Sequence, residues 1–185
     1  MSVITESYSM PIITDFNDQY KNKYFCEVVQ GQVSNDVRQE RSASVTAGTV
    51  LPTGSIGYIN ENGVAVNALT GGTAANTAAI PYIVTVGTEH GNVRSEKYNS
   101  GCGLITMIPL TAGNDFMTTV FGGSITAFAP NTKLVVGSVV IDGETVGAIA
   151  PATGDVSETV VGVVRSAGDY HAGVKGVVFS AAFSL

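Results

Sequence analysis

The side chains best suited to catalysis or metal binding are two histidines, His90 and His171, two cysteines, Cys26 and Cys102, and the carboxylates Glu89 and Asp169. A structural zinc site takes four converging Cys, His or carboxylate ligands and a catalytic one takes three. The cysteines stand far apart in no ligand spacing, so neither a zinc site nor a disulfide framework is indicated, and a single bridge between them stays open. Cys102 lies between Gly101 and Gly103, where it would be an exposed nucleophile if His90 or His171 served as its base. A small buried or loop cysteine is the commoner use of that residue. Glu89-His90 lies just past Gly87 and Thr88, and Asp169-Tyr170-His171 directly follows Gly168, as polar turn residues do.

The glycine-rich stretches do not spell a phosphate site. A phosphate loop ends in Lys and Ser/Thr at a helix start, and a dinucleotide loop needs G-x-G-x-x-G between strand and helix. "TGGTAANTAA" (70–79) has no lysine, and "GCGLIT" (101–106) stops one glycine short. In "TGSIG" and "FGGSI" the serine directly follows glycine, which is not the G-x-S-x-G elbow of a hydrolase. Nothing assembles nucleophile, base and stabiliser, so the expectation is a protein that is not an enzyme and carries no cofactor or metal.

Charge excludes further classes. Charged residues make up 13% of the 185, with 15 acids against 9 bases and a net charge of -6. A nucleic-acid surface needs clustered Lys and Arg, and here Arg94 and Lys97 are interrupted by Glu96. Residues 62–88 carry no charge at all, yet their three asparagines, their glycines and Pro81 do not suit a membrane span. The first residues lack a basic start followed by an unbroken apolar run, so they do not read as a secretory signal. So little charge suits a surface that lies against other protein.

The elements that would position these groups are strands. Residues 1–42 hold 10 of the 24 charged residues and five of the 14 aromatics. They read as an extended docking arm, with Phe16, Tyr20, Tyr24 and Phe25 as candidate partner contacts. "KYFCEVVQGQV" within it has strand composition, and an edge strand of the body is the alternative. From residue 43 to 185 the text becomes short Val/Ile/Ala/Thr runs punctuated by glycine, the spacing of an all-β sandwich or barrel. "VVIDGETVGAI" (139–149) reads as strand, Asp-Gly turn and strand, and "GYINENGVAV" (57–66) offers Asn-Gly in the same role. The end, "VKGVVFSAAFSL", reads as a final strand with Phe179 and Phe183 on one face.

The text also repeats. "GSIGYINENGVAVNALTG" (54–71) aligns without a gap on "GSVVIDGETVGAIAPATG" (137–154), with six of 18 positions identical. Farther on, 84–93 lies on 165–174, pairing His90 with His171. The expectation is a small β-barrel, tulip or sandwich built from two related β-units, about 45–93 and 128–185, with 94–127 connecting them.

The last sixty residues, "SITAFAPNTKLVVGSVV" and then "IDGETVGAIAPATGDVSETVVGVVRSAGDYHAGVKGVVFS", resemble the head decoration, or capsid cement, proteins of tailed bacteriophages. The resemblance rests on strand pieces at Leu134–Ile141, Thr145–Ile149, Val160–Val164 and Val174–Phe179. It implies a β-rich, often trimeric protein on the exterior of a virion capsid, bound at joints between subunits of the major capsid protein and assembled in the host cytoplasm. A homo-oligomer, with a trimer favoured, and no nucleic-acid or membrane partner are the matching expectations. The alternatives are a tail-tube or fibre component and a carbohydrate-binding β-sandwich, the latter disfavoured by the lack of tryptophan.

Overall fold

The computed structural model describes residues 26–31, 41–46, 49–67, 80–87, 104–141, 143–171 and 173–183. The expectation of an all-β protein holds. Eleven strands run in chain order as β1 (Cys26–Gly31), β2 (Arg41–Val45), β3 (Ile56–Ile59), β4 (Val64–Asn67), β5 (Tyr82–Val86), β6 (Leu104–Pro109), β7 (Asn114–Thr118), β8 (Lys133–Ile141), β9 (Glu144–Pro151), β10 (Val160–His171) and β11 (Val174–Ala181). Among the described residues, a 3-10 turn at Ile125–Ala127 supplies the helical content.

Pairing β3-β4-β2-β6-β5 and back to β3 closes a five-stranded barrel, with β2 and β4 parallel and the other neighbours antiparallel. Closure leaves no free edge in this unit. The remaining strands follow in the order β9-β8-β10-β11-β7, with β1 on the outside of β7. One antiparallel pair, Ile56 with Gly147, joins β3 to β9.

The second set repeats the first. Reading β7 for β2, β8 for β3, β9 for β4, β10 for β5 and β11 for β6 reproduces each antiparallel pairing of the barrel. Even the parallel closure has its counterpart, a single bridge between Phe121, just past β7, and Ile149 of β9. The agreement extends to single hydrogen bonds. Val84 exchanges both backbone bonds with Gly54 and Ser55, and Val164 exchanges both with Asn131 and Thr132. The N–H of Ser55 bonds the Pro52 carbonyl as that of Thr132 bonds Ala129; Leu110 bonds Pro81 as Ala182 bonds Val161. In each unit the residue directly after that valine is bulged, Thr85 opposite Met107 and Thr106, and Arg165 opposite Phe179 and Val178.

This correspondence corrects the register read from the sequence. Gly54 (φ 89°) matches Asn131 (φ 68°), both in the left-handed region at the entry to a strand, whereas Gly137 lies inside β8 opposite Ala148. Asparagine is the side-chain-bearing residue that tolerates that conformation best. The gap-free alignment therefore slips by six residues at the first strand, because the β8–β9 hairpin is longer than β3–β4. The segment 94–127, expected to connect the units, contributes β6 to the first and β7 to the second.

Both hairpin turns lie where they were expected. β8 ends at Ile141 and β9 begins at Glu144, paired with each other, with Gly143 at φ 90°. Between β3 and β4 the turn is longer: the Asn60 carboxamide oxygen accepts the N–H groups of Asn62 and Val64, and Gly63 sits at φ 74°.

One core serves both units. Ile56, Ile83 and Leu110 of the first pack in the same cluster as Phe116, Phe128, Leu134, Ile149, Val164 and Phe179 of the second. The rings of Phe116 and Phe179 lie 5.7 Å apart and those of Phe121 and Phe128 5.2 Å, edge to face. The barrel interior is a separate small cluster of Ala43, Leu51, Ala65, Val84, Ile105 and Met107. Two buried polar side chains tie the units together. Asn67 of β4 donates to the Thr145 carbonyl and accepts the Gly147 N–H, each at 2.9 Å, and the Thr118 hydroxyl donates to the Gly54 carbonyl at 3.0 Å.

Candidate interaction surface

The proposed partner contacts Phe16, Tyr20, Tyr24 and Phe25 lie outside the described residues, as do His90 and Cys102. Residues 1–42 are not a uniform arm: β1 pairs antiparallel with β7, and Arg41 and Ser42 begin β2. β1 is the edge strand of the second unit's sheet, and it carries a bulge at Val29. Cys26 is its half-buried first residue. Asp169-Tyr170-His171 form the last residues of β10, and β11 begins at Val174. Among the described residues no three His, Cys, Asp or Glu side chains converge as metal ligands, and no helix is long and apolar enough to cross a membrane.

One end of the second unit gathers exposed, ordered structure instead. At the level of Lys133, β8 is flanked by Ala152, whose N–H bonds the Lys133 carbonyl, and by Val163 of β10. Past that level lie the turn 129–132, the loop 153–159 that crosses from β9 to β10, and the β10–β11 hairpin. Beyond Val163 strand β10 no longer pairs with β8, and before Val177 strand β11 does not pair with β7. Gly168–His171 and Val174–Gly176 therefore form a two-stranded ribbon reaching about 13 Å past the sheet. Ala129, Pro130 and Asn131 of the turn and Ala167 at the ribbon's root are exposed.

The loop is held by its own carboxylates. Glu158 accepts the N–H and hydroxyl of Thr153 (2.9 and 3.0 Å) and the N–H of Gly154 (3.0 Å). Asp155 accepts the N–H (2.8 Å) and hydroxyl (2.7 Å) of Ser157. These bonds favour the ionised forms. The Thr153 N–H, then the Thr153 hydroxyl and Gly154 N–H, hold Glu158 below the usual glutamate range, against burial and the nearby Asp155 charge. The Ser157 N–H and hydroxyl do the same for Asp155. At the apex between them, Val156 is 102% exposed.

A lowered folded pKa gives stabilisation that is present above the unfolded value and is lost as pH falls through the folded one. The amide resonances of Thr153, Gly154 and Ser157 should thus move on acidification with midpoints below those of ordinary carboxylates. Glu158→Gln should remove the step at Thr153 and Gly154. A midpoint at the ordinary glutamate value would contradict the loop geometry.

At the ribbon's root the bulge turns Arg165 onto the strand beside it. Its Nε donates to the Ser180 hydroxyl at 2.7 Å, and that hydroxyl donates to Asp115 at 2.5 Å, tying β10, β11 and β7 together. Arg165 also lies 4.0 Å from Asp115. Ser180, with its proton on a carboxylate and a lone pair on a guanidinium, serves here as a strut. Farther out, Lys175 and Asp169 pair at 2.5 Å across the ribbon, both well exposed. No protein-family model, curated protein or solved structure matches the chain.

The β9–β10 connection is not among the candidate sites read from the sequence. Spacing alone does not show that Val156 faces water, because a valine beside a run of valines reads as core. Thr153 and Glu158, five residues apart around Gly154, are the signal that the loop is ordered.

Proposed function

We propose that this chain is a non-enzymatic structural protein of a virion, which binds the outer surface of a tailed-phage capsid and stabilises contacts between major capsid subunits. What carries the reading is the end of the second unit, where an exposed turn, a loop fastened by its own hydrogen bonds and a projecting ribbon lie together. The strand pieces on which the resemblance to capsid cement proteins rests fall within β8, β9, β10 and β11. A shell offers many identical sites, so modest apolar contacts multiply through avidity when the protein is a symmetric oligomer, with a trimer favoured.

The test is cosedimentation with shells assembled from the major capsid protein encoded alongside this chain. Saturable binding and a raised temperature of shell disruption are expected. Failure to bind overturns the reading, and tubes or rings formed without shells would favour a tail-tube component. The aromatic segment is tested separately. A cut after residue 25 spares β1, whereas a cut after 42 removes it. Deleting residues 1–25 takes away Phe16, Tyr20, Tyr24 and Phe25 and should weaken shell binding about tenfold or more, with the circular-dichroism spectrum unchanged. Unchanged binding would remove the arm's role.

A further inference from the structure

Val156 has no structural reason to be a valine. Its side chain is fully exposed, more so than Val140 at 67% or Val29 at 52%, so it contributes no packing to the fold. Yet the loop that carries it is fastened by five hydrogen bonds to two carboxylates, two of them between Asp155 and Ser157 on either side of the apex and three closing the loop from Thr153 and Gly154 to Glu158. A mobile loop pays ordering entropy on association, and a pre-ordered one does not. Valine adds to this, since its branched side chain has few rotamers to lose. The loop 152–159 carries Asp155 and Glu158 and no Lys or Arg. A partner that accepts the valine must therefore tolerate, and would gain from facing, two negative charges.

We propose that Val156 is the apolar anchor by which the second unit seats on its partner, entering a small apolar socket rimmed by lysine or arginine on the shell subunit. This rests on the shell-binding reading above. The ribbon beside it, with its Lys175–Asp169 pair already neutralised, completes the contact without adding net charge.

The experiment measures binding of the full chain and of Val156→Ser, Val156→Asp and Val156→Ile to the same purified shells, with thermal unfolding of each free protein as control. Val156→Ser should bind about tenfold more weakly or worse, Val156→Asp more weakly still, and Val156→Ile near the original level, all with unchanged Tm. Binding should also weaken as salt is raised. Val156→Ser binding as tightly as the original chain overturns the anchor and leaves the shell-binding reading standing. Failure of the unaltered chain to bind overturns that reading, and the anchor with it.

Discussion

Phe179→Ala should destabilise the whole chain by about 3–5 kcal/mol, the usual cost of removing a fully buried ring. At this size that lowers Tm by roughly 10 °C. Phe179 is fully buried on β11, its ring stands 5.7 Å from that of Phe116, and the missing side chain of Gly162 is what gives it room, since a methyl there would come within 2.8 Å of the ring. The same cluster contains Ile56, Ile83 and Leu110 of the barrel. Loss of the ring should therefore be felt in both units, and a single transition should persist at the lower temperature. A barrel that melts at its original temperature while the second unit melts early would show that the two cores are independent.

Asn67→Leu is the second large effect. Leucine keeps the branching and the number of side-chain heavy atoms and removes both hydrogen bonds to β9, leaving the buried Gly147 N–H without its side-chain acceptor and the Thr145 carbonyl without its donor. An unsatisfied buried backbone group costs about 1–3 kcal/mol. Because a single antiparallel pair, Ile56 with Gly147, otherwise links β3 to β9, the seam between units should open first. Hydrogen exchange should quicken at residues 145–149 before the barrel strands. Protection unchanged along β9 would contradict the role given to Asn67.

The second half of the fold was legible because its hairpins are local. Asp-Gly at 142–143 and alternating runs on either side determine a hairpin without reference to the rest of the chain. The duplication was legible in kind and not in register. Its most telling equivalence pairs Gly54 with Asn131, two residue types that share a backbone conformation and no letter. Strand lengths differ as well, four residues in β3 against nine in β8, so no ungapped comparison aligns both ends. Cys26–Gly31 has strand composition in either reading. Whether it belongs to an arm or to the sheet depends on β7, some ninety residues away, and local text cannot report such a partner. The surface was hidden for a related reason: the bulge that turns Arg165 onto Ser180 and Asp115, and the exposure of Val156, follow from tertiary register.

Cryo-imaging of shells saturated with this chain tests the central claim most directly. The account predicts density on the outer surface at joints between shell subunits, with the turn 129–132, the loop 153–159 and the ribbon 168–176 directed at the shell. An outer surface without the chain, or a bound chain whose loop end faces solvent, would contradict it.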